Sequence, residues 1–327
     1  MNKIKQVTIA ASTYGVLPRC FGWIQSVWNN LESELNVQLL VVDDGTPNEV
    51  AVRTRAEYCK RFNTQFLHNE KNLGIPATWN RIFRTGQENG SDLVVCFNDD
   101  IRMLAPGWLP RLMYVFENND NIGGVGLPLV NEPGFKSDDP RWEGQPGRVG
   151  AAVGAAFALR PSALFEITNP DNDNGFWISL RSFHEEVHCG FRLSELGYDS
   201  FMLPWPPCYH QGGATFQANE ELIWMDLPDY ITMDEFLNYA RALPFYVPQY
   251  EEKYAQGVVD RMMGSRCMFT KYWGLLNEPR MHTLSDGETV DAWASPQRIA
   301  HDRIVTPKPK REIKWLDRDG TERISTI

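Results

Sequence analysis

Over roughly the first 130 residues, unbroken apolar runs alternate with stretches in which apolar positions recur every three or four residues. Residues 7–11, 37–42 and 93–97 are continuous apolar runs, and 65–67 is a weaker one. The run at 37–42 leads into Asp43-Asp44-Gly45, and the run at 93–97 leads into Asn98-Asp99-Asp100. Between them, Leu17, Cys20, Phe21, Ile24, Val27, Trp28 and Leu31 have the spacing of an amphipathic helix, with Pro18 suited to its first turn. Ile75, Trp79, Ile82 and Phe83 mark a second helix with Pro76 near its start, and a third is expected over 108–116. Strands that are apolar throughout, separated by helices, predict an α/β domain with a mostly parallel sheet covered on both faces. Such sheets bind ligands outside the carboxyl ends of their strands, where both acidic clusters fall.

The pattern changes near residue 131. Residues 131–150 are rich in Pro, Gly and charge and read as a long loop, in which Trp142 and Arg148 are candidates for contact with a ligand. A strand resumes at 153–159, a helix is expected over 185–196 with Gly197 as its stop, and a strand at 201–203 precedes a rigid PWPP stretch. After about 216 the alternation ends. Helical patterns near 233–242 and 251–270 give way to a polar, Pro-containing tail. We therefore expect a catalytic domain over 1–215 and a C-terminal extension over 216–327, helical and then irregular. Its tryptophans argue that it packs on the first domain, as an acceptor-site or oligomer contact.

Composition narrows the classes. A net charge of -10 disfavours nonspecific nucleic-acid or acidic-membrane binding. No apolar run approaches the ~18 residues needed to span a bilayer. The cysteines (Cys20, Cys59, Cys96, Cys189, Cys208, Cys267) form no C-x-x-C pair and sit among apolar neighbours, which suggests reduced core residues of a cytoplasmic protein. Each acidic pair taken alone fits a solvated turn or helix N-cap as well as a hard-metal site.

Taken together, the segments VTIAASTYG, LLVVDDGTPNE, NEKNLGIPATWNRI, VCFNDDIRMLAPGWLPRL, HEEVHCGFRLSELGYDSFMLP and CYHQGG resemble, in order and spacing, the inverting GT-A glycosyltransferases of family two. The resemblance covers about residues 5–215 and implies a Rossmann-like fold with a nucleoside-diphosphate sugar as donor. It implies that Ser12, Thr13 and Tyr14 line the nucleoside pocket and that Asp43 or Asp44 accepts hydrogen bonds from the base or ribose. Asn72, Gly74 and Asn80 match the third segment, where Gly74 would let the backbone approach the nucleotide. Asn98 replaces the first acid of the Asp-x-Asp motif, which leaves Asp100 as the metal-bound carboxylate and Asp99 nearer the ribose. Glu186 matches the general base, one methylene longer than the usual Asp, with Glu185 as second choice. His210, followed by Gly212 and Gly213, matches the histidine that binds metal or diphosphate. His188 stands where an Asp is usual and carries no assigned role.

The implied chemistry is direct displacement at the anomeric carbon, with a divalent cation (manganese or magnesium) and His210 offsetting leaving-group charge and a carboxylate activating the acceptor hydroxyl. The acceptor is left open among glycan, lipid, protein and a hydroxylated DNA base; the basic run TPKPKREIK is the feature that permits the last. A nucleotidyltransferase would need a Gly-rich basic phosphate loop, for which ASTYGVLPR supplies one Gly and one Arg. A non-catalytic sugar-binding module would need no base.

Overall fold

In the computed structural model, which describes residues 3–15, 17–130, 147–149, 155–180, 185–205, 207–210, 281–291, 296–304 and 308–327, the runs at 7–11, 37–42 and 93–97 are strands buried on both faces, and 65–67 lies in a partly buried one. The first half runs β1 (Val7–Thr13), α1 (Leu17–Trp28), β2 (Val37–Asp43), α2 (Glu49–Arg61), β3 (Thr64–His68), α3 (Ile75–Glu88) and β4 (Leu93–Asn98). Side chains alternate between two cores, as the two-residue period of a strand requires. Val7, Ile9, Leu39, Val41, Leu93 and Val95 face α1, while Ala10, Leu40, Val42, Val94 and Cys96 face Trp79, Ile82 and Phe83 of α3. Full burial of each Val, Leu, Ile or Phe side chain among them stabilises the fold by roughly 1.5–3 kcal/mol.

β5 (Ile101–Met103), α4 (Trp108–Asn118), β6 (Ile122–Gly126), β7 (Leu129–Val130), β8 (Gly147–Val149), β9 (Ala156–Leu159), α5 (Pro161–Leu164), α6 (Glu185–Glu195), β10 (Asp199–Met202) and β11 (Cys208–His210) follow. The main sheet has the order β3-β2-β1-β4-β9-β6-β10-β8. β3, β2, β1 and β4 are mutually parallel, as are β6 and β10. β9 runs against both its neighbours, and β8 against β10. A small second sheet, β5-β11-β7, lies outside it. Sequence periodicity anticipates neither the reversed β9 nor this short sheet, whose strands are too brief to carry a period.

α2 also escapes the apolar pattern, because its buried stripe is Ala51, Arg55 and Cys59, with a charge in the middle. Its ends are nonetheless written in the sequence: Asn48 caps it by accepting the Ala51 amide, Glu49 lies in the first turn, and Lys60 and Arg61 in the last. α1 ends at Trp28, which is half exposed, three residues short of the expected Leu31.

The helical patterns at 233–242 and 251–270, Trp142, Cys267, Gly212 and Gly213 lie outside the described residues, as does the side chain of Arg148. What is described of the extension differs from a tail without pattern. It comprises a hairpin, β12 (Met281–Thr283) with β13 (Thr289–Asp291), then α7 (Pro296–Ile304), then a second hairpin, β14 (Glu312–Leu316) with β15 (Glu322–Thr326). The segment Glu312–Leu316 alternates charged and apolar residues, so that Ile313 and Trp315 enter the core beside α4. The Asn119 side chain holds the Lys314 backbone in both directions, at 2.9 and 3.0 Å. Arg111 Nε donates to the Asp317 carbonyl at 3.0 Å, and Trp205 Nε1 to that of Leu316 at 3.4 Å. Two cations of the basic run are engaged inward: Lys308 on the Tyr198 carbonyl at 3.0 Å and Arg311 on Asp199 at 3.2 Å.

Trp315→Ala removes a core indole and the hydrogen bond from its Nε1 to Ser325 Oγ. We expect a loss of about 3–5 kcal/mol, read as a lower urea midpoint. A midpoint equal to wild type would show that the hairpin is not part of the cooperative unit.

Candidate active site

The carboxyl ends of β1, β2 and β4 stand abreast, with Thr13 opposite Asp43 and Ser12 opposite Asn98. These strands are paired through their whole length, so their last residues must turn polar groups toward one edge. Thr13 is buried and donates its hydroxyl to Asp99 Oδ2 at 2.5 Å. Ser12 and Tyr14 on either side of it are half-buried. Burial pushes the Asp99 carboxyl up to about 6, with the charge of Asp100 adding to the effect and the Thr13 hydrogen bond, Arg19 and Arg55 opposing it.

Asp43 and Asp44 are both buried, and each is held by protein groups. Asp43 pairs with the Arg55 guanidinium, accepts the Thr46 amide at 2.7 Å and hydroxyl at 2.8 Å, and lies 2.9 Å from His68 Nδ1. Thr46 Oγ1 in turn accepts the amide of Gly15, which fixes the loop after β1 to the loop after β2. Asp44 accepts the Leu73 and Gly74 amides at 2.9 and 3.0 Å and the Asn69 side-chain amide at 2.9 Å. The two loops approach so closely that a side chain at Gly45, where φ is 78°, would lie 2.1 Å from the Lys71 carbonyl carbon. Gly74 caps α3 with no side chain of its own, and the buried Asn72 Oδ1 has no partner among the described residues. Asn80 lies one turn into α3 and faces inward, pairing with the backbone of Phe176.

Asp100 begins the turn into β5, and His210 ends β11. Antiparallel pairing puts His210 opposite Ile101, which brings its Nε2 within 3.4 Å of Asp100 Oδ2. Asp100 Oδ1 is buried and has no hydrogen-bond partner among the described residues. A carboxylate with an unmatched oxygen beside an imidazole nitrogen suits a hard or borderline divalent cation whose remaining positions are filled by phosphate oxygens. No group of three or more His, Cys, Asp or Glu gathers as a closed metal cage among the described residues. Arg102 Nη1 donates to the carbonyls of Asp99 at 2.9 Å and Ile101 at 2.7 Å, bracing the acidic turn from below. Arg102, Arg55 and Thr46 are contributions that motif reading misses, although the Asp-x-x-Thr spacing of Asp43 and Thr46 is visible in the sequence.

Glu185 and Glu186 open α6, where the helix dipole favours acids. Glu185 is buried with Oε2 unpartnered, whereas Glu186 is partly exposed. Burial pushes the Glu185 carboxyl well above the usual range, and the neighbouring Glu186 charge adds to this; burial also raises Glu186. No hydrogen bond or ion pair among the described residues joins either acid to Asp99, Asp100 or His210.

The model of the family described as Glycosyl transferase family 2 matches residues 15–187. The chain belongs to that family. It is a glycosyltransferase of the GT-A fold, with the expected central sheet flanked by helices. No curated protein matches it in sequence. Among solved structures, S. aureus TarS 1-349 in complex with UDP is similar at 12% identity, over 88% of this chain and 96% of that one, with a TM-score of 0.51. GalNAc-T7 with UDP, GalNAc and Mn2+ is similar at 14% identity, over 82% of this chain and 57% of that one, with a TM-score of 0.55. At these identities the likeness is one of fold. No helix among the described residues is long and apolar enough to cross a membrane.

Asp99 ionises at about 6 in the folded family member against an ordinary 3.8. A raised carboxyl stabilises the fold only while protonated, so its contribution is complete below about pH 4 and lost as pH rises through about 6. In chelator-treated protein, Asp99→Asn should therefore raise the urea midpoint at about pH 7.5 and lose that gain near pH 4. A difference that does not change with pH would reject the assignment.

Proposed function

We propose that this family 2 enzyme moves a sugar from a nucleoside-diphosphate donor to a hydroxyl acceptor with inversion at the anomeric carbon. The observation that carries the reading is the Asp100–His210 pair, brought to 3.4 Å by the pairing of β5 with β11, with Asp100 Oδ1 left unmatched among the described residues. Asp100 and His210 would hold a manganese or magnesium ion; the GT-A neighbour GalNAc-T7 was solved with Mn2+. Such a cation supplies charge to a departing diphosphate. Ser12, Thr13, Tyr14 and Asn72 line the nucleoside side, and Asp99 reaches toward the ribose. Asp43 and Asp44, by their protein hydrogen bonds, hold the nucleotide loops in place.

Glu186 is the base. It is the more accessible of the two acids on α6, and its raised pKa makes it a better proton acceptor than an ordinary carboxylate. It takes the acceptor hydroxyl proton as that oxygen bonds to the anomeric carbon and the bond to the diphosphate oxygen breaks. Glu185 is the more deeply buried of the two, and burial together with the neighbouring Glu186 charge pushes its carboxyl further up. The described cysteines Cys20, Cys59, Cys96, Cys189 and Cys208 are free and buried, which supports a reducing, cytoplasmic setting.

Turnover of a panel of UDP- and GDP-sugars, with manganese and with a chelator, tests the reading; no turnover of any donor under either condition rejects it. Asp100→Ala should weaken manganese-dependent binding of UDP or GDP by at least about tenfold, the scale of one lost charged contact. Calorimetry that finds the affinity unchanged removes Asp100 from the metal site. Glu186→Gln should leave donor binding intact and slow turnover by about 100-fold or more. If Glu185→Gln is the inactive variant instead, the two acids exchange roles.

A further inference from the structure

A chain of buried polar groups connects α3 with α6. Asn80 on α3 is 4% exposed. Its Nδ2 donates to the Phe176 carbonyl at 2.8 Å, and its Oδ1 accepts the Phe176 amide at 2.8 Å. This two-way pairing with one residue's backbone, together with its burial, turns the Asn80 side chain toward Phe176. The contact also requires Gly175: φ there is 103°, and an added side chain would lie 2.4 Å from Asn80 Oδ1.

The chain continues from Gly175. Its carbonyl accepts the Asn169 side-chain amide at 3.0 Å. The other end of that side chain, Oδ1, faces His188 Nε2 at 3.2 Å. Since the Asn169 NH2 group points at Gly175, Oδ1 can only accept, so His188 must donate from Nε2. His188 is wholly buried on α6, one turn beyond Glu185, and the Trp177 ring lies 5.0 Å from its own. Burial, reinforced by the Arg192 charge, pushes the imidazole down to about 3, so it is neutral at physiological pH.

We infer that Asn80, Asn169 and His188 form a positioning relay that fixes the base-bearing start of α6 relative to the donor-side helix α3. Asn80 then acts on where the base sits and makes no contact with the nucleotide, contrary to what its place in the motif suggests. The inference rests on the proposed function, in that an acid at the start of α6 serves as base. Misplacing a catalytic group by about 1 Å can cost up to 100-fold in rate without altering substrate affinity. That separation of rate from binding is the signature of the relay.

The experiment compares wild type, Asn80→Ala, His188→Phe and His188→Gln. His188→Phe keeps a ring against Trp177 but removes the donor, and His188→Gln restores one. With UDP-glucose, UDP-GlcNAc and GDP-mannose as probes, hydrolysis gives kcat, and calorimetry with UDP and GDP gives affinity. We expect Asn80→Ala and His188→Phe to bind the nucleotide within about twofold of wild type while kcat falls by about tenfold or more, with His188→Gln recovering most of the loss. A matching loss of nucleotide affinity in Asn80→Ala, or an unchanged kcat in both Asn80→Ala and His188→Phe, overturns the relay. Nitrogen-15 spectra of the histidine rings supply a readout independent of activity. His188 should stay neutral with the proton on Nε2 down to about pH 5, and a protonated ring or the other tautomer at pH 6 overturns the relay even if the variants do not fold. Wild type that turns over none of the three donors counts against the proposed function, and the spectra then decide the relay by themselves.

Discussion

Asp43 has no solvent exposure, yet it stands at the end of a central strand and pairs with an equally buried arginine. A buried carboxylate persists only when its partners replace the water it gives up. Here those partners come from separate segments: Arg55 from α2, Thr46 from the loop after β2, and His68 from the end of β3. Thr46 also holds the Gly15 amide, so the first loop of the site is fixed by a residue of the second. Removing one member would leave a buried charge without compensation, at a cost of about 3–5 kcal/mol. The nucleotide edge therefore has a geometry set before any ligand arrives.

Asp44 extends the same logic by one residue. Its carboxylate collects the Leu73 and Gly74 amides at the mouth of α3, donors that a helix start would otherwise leave unpaired. Asp43 ties β1 to β2, and Asp44 ties β2 to α3. The adjacent acids thus organise three loops at one edge of the sheet. Beside this edge, Asn72 Oδ1 and Asp100 Oδ1 are among the buried oxygens that the described residues leave without a partner. A buried polar atom without a partner costs about 1–3 kcal/mol, which makes these atoms the natural places for a ligand to bind.

The strands that carry this edge were legible because they are buried on both faces, and their apolar runs end where polar groups must emerge. Thr13, Asp99, Asp100 and His210 could be picked out of the chain by motif, and the structure joins them in two pairs. The pairing itself could not be read, because it depends on β11 returning beside β5, and short strands carry no signal of their partners. α2 was hidden by the charge of Arg55 on its buried stripe. Asn80 was found by motif, but its partner Phe176 lies far along the chain, so its local sequence says nothing of its contact. The hairpin over residues 312–326 has a visible alternation, which its charged outer face makes resemble a polar tail.

The two acids of α6 show why such long-range contacts matter to chemistry. Neighbouring carboxylates at one helix start repel, and a shared environment would raise both alike. The turn of the helix separates them: Glu185 points into the interior and Glu186 toward the more open side. The inward acid carries the larger penalty for ionising, and the outward one a smaller penalty of the same sign. This division depends on the rotation of α6 about its axis. His188, one turn further along the buried face, fixes that rotation through Asn169 and the Gly175–Phe176 backbone to Asn80. Which of the two acids faces the interior is thus set by hydrogen bonds that lie outside the acids themselves.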